Sequence, residues 1–176
     1  MNKRILINFI GVIFIFFIGF IIHNLYDWFP NIITLIISPV NESIFEHLKM
    51  ILSSYVIWII IKYLIYKKCN LEKNSFFFKE LLTVIFNIIL FLSIFLPIYN
   101  AFGENLIITL LIYFISIIIT SILNYFFKIK IESKLLNIIG IIFMIIIYIT
   151  TTYLTYNPLI NNFFLDPISN SYGLNK

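Results

Sequence analysis

The sequence predicts an all-α integral membrane bundle of five transmembrane helices, with a short re-entrant or interfacial segment between helices 1 and 2. Three observations predict it. Of 176 residues, 61% are hydrophobic and only 11% are charged, against roughly a quarter charged in a soluble domain. Such a chain cannot clothe itself with charge in water and is solvated by lipid. Five apolar segments each approach the ~20 residues that a helix needs to cross the hydrocarbon core. Finally, Lys and Arg gather almost entirely on one side of those segments.

The first segment runs over residues 5–25. Lys3 and Arg4 precede it, as in a signal peptide, but the run is long and no small-residue cleavage site follows Ile22-His23-Asn24-Leu25; an uncleaved helix is expected. Between Pro30 and Pro39 the apolar core is too short to cross, which gives the re-entrant or interfacial segment. The second helix covers residues 43–66, the third 81–98, the fourth 106–127 and the fifth 135–156, where Asn157-Pro158 stops it. Residues 157–176 form a tail. The chain reads as a single transmembrane domain, 1–176, without internal repeats.

Charge sets the orientation. Lys3, Arg4, Lys62, Lys67, Lys68, Lys73, Lys79, Lys128, Lys130 and Lys134 share one side, and only Lys49 and Lys176 fall on the other. The positive side is cytoplasmic, so the N-terminus is cytoplasmic and the tail extracytoplasmic. The wealth of Ile, Asn, Lys and Phe suggests an AT-rich bacterial genome, hence a multi-pass protein of a bacterial cytoplasmic membrane. The single cysteine, Cys69, excludes an intrachain disulfide and a cysteine-rich metal site. Five scattered glycines supply neither a P-loop nor a dinucleotide-binding turn, and nothing points to nucleic acid.

The acids divide unevenly. Glu72, Glu80 and Glu132 lie among the cytoplasmic lysines, whereas Asp27, Glu42, Glu46, Glu104 and Asp166 fall on the outer side with both histidines, His23 and His47. The stretch Ser38-Pro39-Val40-Asn41-Glu42-Ser43-Ile44-Phe45-Glu46-His47-Leu48-Lys49-Met50 carries much of this polarity. Ser43-Ile44-Phe45-Glu46 fits a capping box. On a helical wheel, Glu42, Ser43, Glu46, His47, Lys49, Ser53 and Ser54 share one side. Phe45, Ile44, Leu48, Ile51 and Leu52 form an apolar arc free to face lipid. The polar wedge then lines an outward-facing pocket, because charge at membrane depth faces protein or water. His23 and Asp27, four apart, lie on one face at the same outer level. Seams of Thr109, Tyr113, Ser116, Thr120 and Asn124, and of Asn137, Gly140, Met144, Tyr148, Thr151 and Thr155, mark inward, helix-packing faces. The tail either lies over the pocket mouth or is disordered.

His23-x-x-Tyr26-Asp27-Trp28, Pro39-Val40-Asn41-Glu42-Ser43-x-x-Glu46-His47-Leu48-Lys49 and Asp166-Pro167-x-x-x-x-Tyr172-Gly173 together resemble a family of small bacterial membrane proteins described as a domain of unknown function. The resemblance spans nearly the whole chain. It implies an integral membrane location and supplies no substrate or catalytic residue.

Three functions compete. A membrane-embedded, metal-dependent hydrolase would use His23 and His47, with Asp27, Asp166 or a glutamate, as ligands to a divalent metal such as zinc. Glu42 or Glu46 would act as general base, and Asn41, Ser43, Lys49, Ser53 and Tyr172 would line a pocket for a lipid or small molecule. His-Glu-x-x-His is absent. A cation or proton transporter component would use the same groups as an ion site. A structural or accessory protein would neutralise them pairwise, through pairs such as Glu46–Lys49 and Asp27–His23.

Overall fold

A computed structural model describes residues 3–103 and 105–174. Glu104 and Lys176, which enter the charge counts above, lie outside the described residues. The elements are α1 (Lys3–Trp28), α2 (Ile32–Ile37), α3 (Ile44–Lys68), α4 (Phe76–Phe102), α5 (Leu106–Phe126), α6 (Lys134–Tyr156), β1 (Leu165–Asp166) and β2 (Ser171–Tyr172). Every helix except α2 is long and apolar enough to cross a membrane, five in number among the described residues. This is the architecture of a multi-pass membrane protein. The third spanning helix, α4, starts earlier than its hydropathy suggests because Phe76, Phe77 and Phe78 add an aromatic first turn, and it continues through Pro97 to Gly103.

The chain divides into two compact units. One comprises Met1–Phe16 and Ile57–Ile141; the other comprises Phe17–Val56 and Ile142–Lys176.

In the first unit, the fourth-helix seam is a packing face. Tyr113, Ser116, Thr120 and Asn124 are buried. Asn87 of α4 donates to Ser116 and Thr120, and Asn124 donates to Thr83 at 2.7 Å. The Tyr113 hydroxyl donates to the Ile15 carbonyl. Without a hydrophobic drive between helices in lipid, close packing and such interhelical hydrogen bonds supply the association. Gly140 on α6 is part of the same logic: a Cβ there would lie 2.6 Å from the backbone of Phe77.

The second unit contains the short segment between Pro30 and Pro39, and its polar wedge explains how a six-residue helix can exist there. Both ends of α2 carry backbone groups that an apolar setting cannot solvate. Asn31 caps the start in a capping box with Thr34. At the other end, Lys49 of α3 donates to the Leu35 carbonyl at 2.9 Å, and Ser53 of α3 donates to the Ile37 carbonyl. Ser38 turns back onto Thr34. A cation on the last carbonyls also suits the helix dipole.

The apolar arc of α3 does not face lipid, as the wheel suggested. Ile51, Leu52 and Phe45 are all buried, and α3 has the largest buried share of the five spanning helices, half of its apolar window against 6% for α6. The tail is one reason. Phe163 and Phe164 lie against Phe45, with ring centroids 6.3 and 4.4 Å away, and the Phe163 carbonyl accepts from the Phe45 N–H. The tail is thus an ordered cover for the first turn of α3. Its strands pair antiparallel, Leu165 with Tyr172 and Asp166 with Ser171. Gly173 takes φ +56°, and a Cβ there would collide with the Thr155 carbonyl, so the glycine after Tyr172 is required by close approach.

Candidate metal centre

His23, Glu42 and His47 converge. His23 sits on the last turns of α1, Glu42 in the turn before α3 and His47 on its first turn. Their ligand atoms form a small triangle: His23 Nε2 to His47 Nε2 is 3.1 Å, His47 Nε2 to Glu42 Oε2 is 3.4 Å and His23 Nε2 to Glu42 Oε2 is 3.5 Å. A tetrahedral zinc with bonds of about 2.0–2.2 Å holds its ligand atoms about 3.3 Å apart. Among the described residues this is the one group of three or more His, Cys, Asp or Glu side chains able to hold a metal ion.

The local fold fixes the orientation of the His47 ring. Its Nδ1 lies 2.8 Å from the Ser43 carbonyl, one helical turn back. A carbonyl only accepts, so Nδ1 carries the proton, and in the neutral ring the lone pair is on Nε2, the atom aimed at His23 and Glu42. Ser43 is itself held: Asn41 Oδ1 accepts its N–H, and the Asn41 amide donates to the Gly173 carbonyl at 2.8 Å. The tail glycine therefore supports a loop that supports the imidazole. Hydrogen bonds from His23 and then from His47, which donates through Nε2 only when its ring carries both protons, hold the Glu42 carboxyl well below the usual carboxylate range, against the opposing effect of its partial burial. Glu42 is anionic at neutral pH. The three side chains remain 22–32% exposed, so a further ligand can reach the centre.

Glu46, one turn along α3, is not part of it. Its carboxylate is 1% exposed and accepts from Lys49 Nζ at 2.6 Å, from the Thr155 hydroxyl at 2.6 Å and from the Val40 N–H at 3.2 Å. The capping box is half formed: the Ser43 hydroxyl accepts the Glu46 N–H, while the Glu46 carboxylate turns to Val40. Lys49 completes the network with three acceptors for its three protons: Glu46, Leu35 and Thr155. Thr155 comes from the predicted seam on α6, as does Tyr148, whose hydroxyl donates to Ser53 at 2.9 Å.

The remaining candidates lie elsewhere. Asp27 is exposed and, among the described residues, makes no ion pair. Asp166 is buried in the tail, where its two oxygens accept the Ile168 N–H and the Ser169 hydroxyl and shape the hairpin turn. Tyr172 pairs in that hairpin.

Sequence reasoning passed over a second charged cluster. Lys62 and Glu80, counted as cytoplasmic charges, are both buried and pair at 2.7 Å, with Asn124 bonded to each. The clue was Lys62 standing inside the apolar run Trp58-Ile59-Ile60-Ile61-Lys62-Tyr63-Leu64.

Residues 1–174 match a family of unknown function, DUF6512. The chain belongs to that family. Neither a curated protein nor a solved structure matches it.

Proposed function

We propose that the His23–Glu42–His47 centre binds a divalent metal, most simply zinc, and that the protein is a membrane-embedded metal-dependent hydrolase. The observation that carries this reading is the triangle of ligand atoms with edges of 3.1, 3.4 and 3.5 Å. Two histidines and one carboxylate, with a fourth position left open, is the composition of catalytic rather than closed structural zinc sites. A metal there supplies a Lewis acid and lowers the pKa of a water in the open position. The chain's own contribution is orientation. Ser43 fixes the His47 tautomer with its Nε2 lone pair toward the centre, and Glu42 supplies the anionic oxygen beside it. Glu46, with its oxygens occupied by Lys49, Thr155 and Val40, is not free to act as general base. The lysine distribution supports a cytoplasmic N-terminus and a centre near the outer leaflet, which favours a lipid or other amphiphilic substrate.

Elemental analysis of protein purified in detergent tests the centre. One zinc per chain is expected, lost in His47→Ala and in Glu42→Gln. A metal-free protein that also fails to take up zinc, manganese or cobalt refutes it. Metal binding without hydrolysis of ester or amide amphiphiles in mixed micelles would leave the centre standing and remove the hydrolase.

A cation or proton transporter component is the second reading. The buried Lys62–Glu80 pair favours it, since ionisable pairs at membrane depth mark ion paths. Flux in proteoliposomes that responds to Glu80→Gln but not to His47→Ala would place this reading first.

A further inference from the structure

The first compact unit holds a cavity of about 240 Å³ at the end where α1 begins, α3 ends, α4 begins and α5 ends. Five cations line it: Arg4, Lys73, Lys79, Lys128 and Lys130. Its two carboxylates, Glu72 and Glu80, are already engaged. Glu72 accepts from Arg4 at 2.8 Å and Glu80 from Lys62 at 2.7 Å. Among the described residues, Lys73, Lys79, Lys128 and Lys130 have no ion-pair partner. Four ammonium groups around one concavity repel each other until an anion joins them.

A second, apolar hollow of about 520 Å³ lies between α4 and α5, lined by Leu82, Phe86, Leu123, Phe126 and Phe127, with Thr83, Thr120 and Asn124. Asn124 lines both spaces. The hollow follows α5 from its end back to Thr120, about 9 Å at 1.5 Å per residue. The charged space is at the helix ends and the apolar one lies beside it, deeper along α4 and α5, with Asn124 as their common wall. An occupant of both needs an anionic head and an apolar chain.

We infer that these two spaces form a binding site for one anionic phospholipid, with its phosphate headgroup among Lys73, Lys79, Lys128 and Lys130 and an acyl chain between α4 and α5. Basic pockets among spanning helices recognise anionic headgroups in this way. The cavity is smaller than the ~300–1,000 Å³ of typical small-molecule pockets, which suits a headgroup and not a nucleotide. A zwitterionic headgroup would bring its own ammonium into the cationic cluster. Soluble phosphate would leave the apolar hollow unused.

Native mass spectrometry and thermal unfolding of the full chain in neutral detergent test the site. Phosphatidylglycerol should bind one per chain and raise the melting temperature. Phosphatidylcholine and millimolar inorganic phosphate should do neither. Lys128→Gln, at an exposed position, should weaken phosphatidylglycerol about fivefold, the worth of one lysine near an anionic lipid surface. Leu123→Trp, which fills the hollow and keeps every charge, should also weaken it. Equal retention of phosphatidylcholine, an equal rise with inorganic phosphate alone, or unchanged phosphatidylglycerol binding in both variants would overturn the proposal.

Discussion

Glu42 and Glu46 are four residues apart and have opposite surroundings. Glu46 is sealed from solvent, with three donors on its two oxygens and a lysine whose own protons are all accepted. Glu42 is about one-third exposed and faces two imidazole nitrogens at 3.4 and 3.5 Å. A carboxylate saturated by its own fold has nothing left to offer a ligand, and its value is structural: it holds Lys49 on the Leu35 carbonyl of α2. A carboxylate set beside two ring nitrogens at metal-ligand spacing keeps coordination in reserve. The two carry the same charge and lie four residues apart. The number of partners separates them.

The largest effect should come from the saturated side. Lys49→Ala leaves Glu46 buried and uncompensated and the Leu35 carbonyl without its donor. Removal of one partner from a buried pair costs about 3–5 kcal/mol, and unfolding in detergent should show a loss of that size. The double variant Glu46→Gln with Lys49→Met should recover much of it, because no isolated charge remains. Recovery of nothing would mean that the α2 carbonyl, and not the ion pair, dominates.

The next effect belongs to the reserve side and should leave stability nearly alone. His47→Ala removes one of three ligands and should reduce zinc affinity more than about 100-fold, beyond what loss of an outer-shell partner does, while the metal-free melting temperature shifts little. A large stability loss without any change in metal content would reverse the comparison and make the trio the structural element.

Much of this contrast was legible in the sequence, and its decisive part was not. Periodicity and hydropathy located the five helices and put His23, Glu42, Glu46 and His47 at one level. The α6 seam, with Tyr148 and Thr155, was legible as an inward face. What periodicity cannot provide is the partner across the fold. Thr155 is 109 residues from Glu46, and the tail aromatics that bury Phe45 are more than a hundred positions away. Without them the apolar arc of α3 looked free for lipid and the two glutamates looked alike. Lys62 misled for a related reason. A lysine near a helix end reads as one that reaches water, and only the presence of Glu80 and Asn124 shows why it stays inside.

A smaller effect sharpens the electrostatics of Glu42. Its folded carboxyl is held below the reference value of 4.5. In metal-free protein the resulting stabilisation is therefore present above the unfolded value and fades as pH falls through the lowered folded value. The melting-temperature difference between wild type and Glu42→Gln should be steady near neutrality and shrink only well into the acid range. With zinc bound, wild-type stability should begin to fall at a higher pH, because protons compete for the ligand nitrogens. If zinc does not change the pH at which stability falls, the imidazoles are not ligands.

The smallest effect is expected at Asp27, and it decides what kind of centre the trio can be. Asp27 lies four residues after His23 on α1, and its carboxylate is exposed and outside the ligand triangle. If the centre holds three protein ligands and an open position, Asp27→Asn removes nothing from it. Zinc affinity should stay within about twofold and unfolding within about 0.5 kcal/mol, the usual range for a surface substitution. The alternative has a distinct signature. Were Asp27 to swing in as a fourth ligand, its loss would lower affinity by at least tenfold, and the wild-type site would be closed, as structural zinc sites are. A closed site has no place for an activated water, so a large effect at this exposed aspartate would retain the metal and remove the hydrolase.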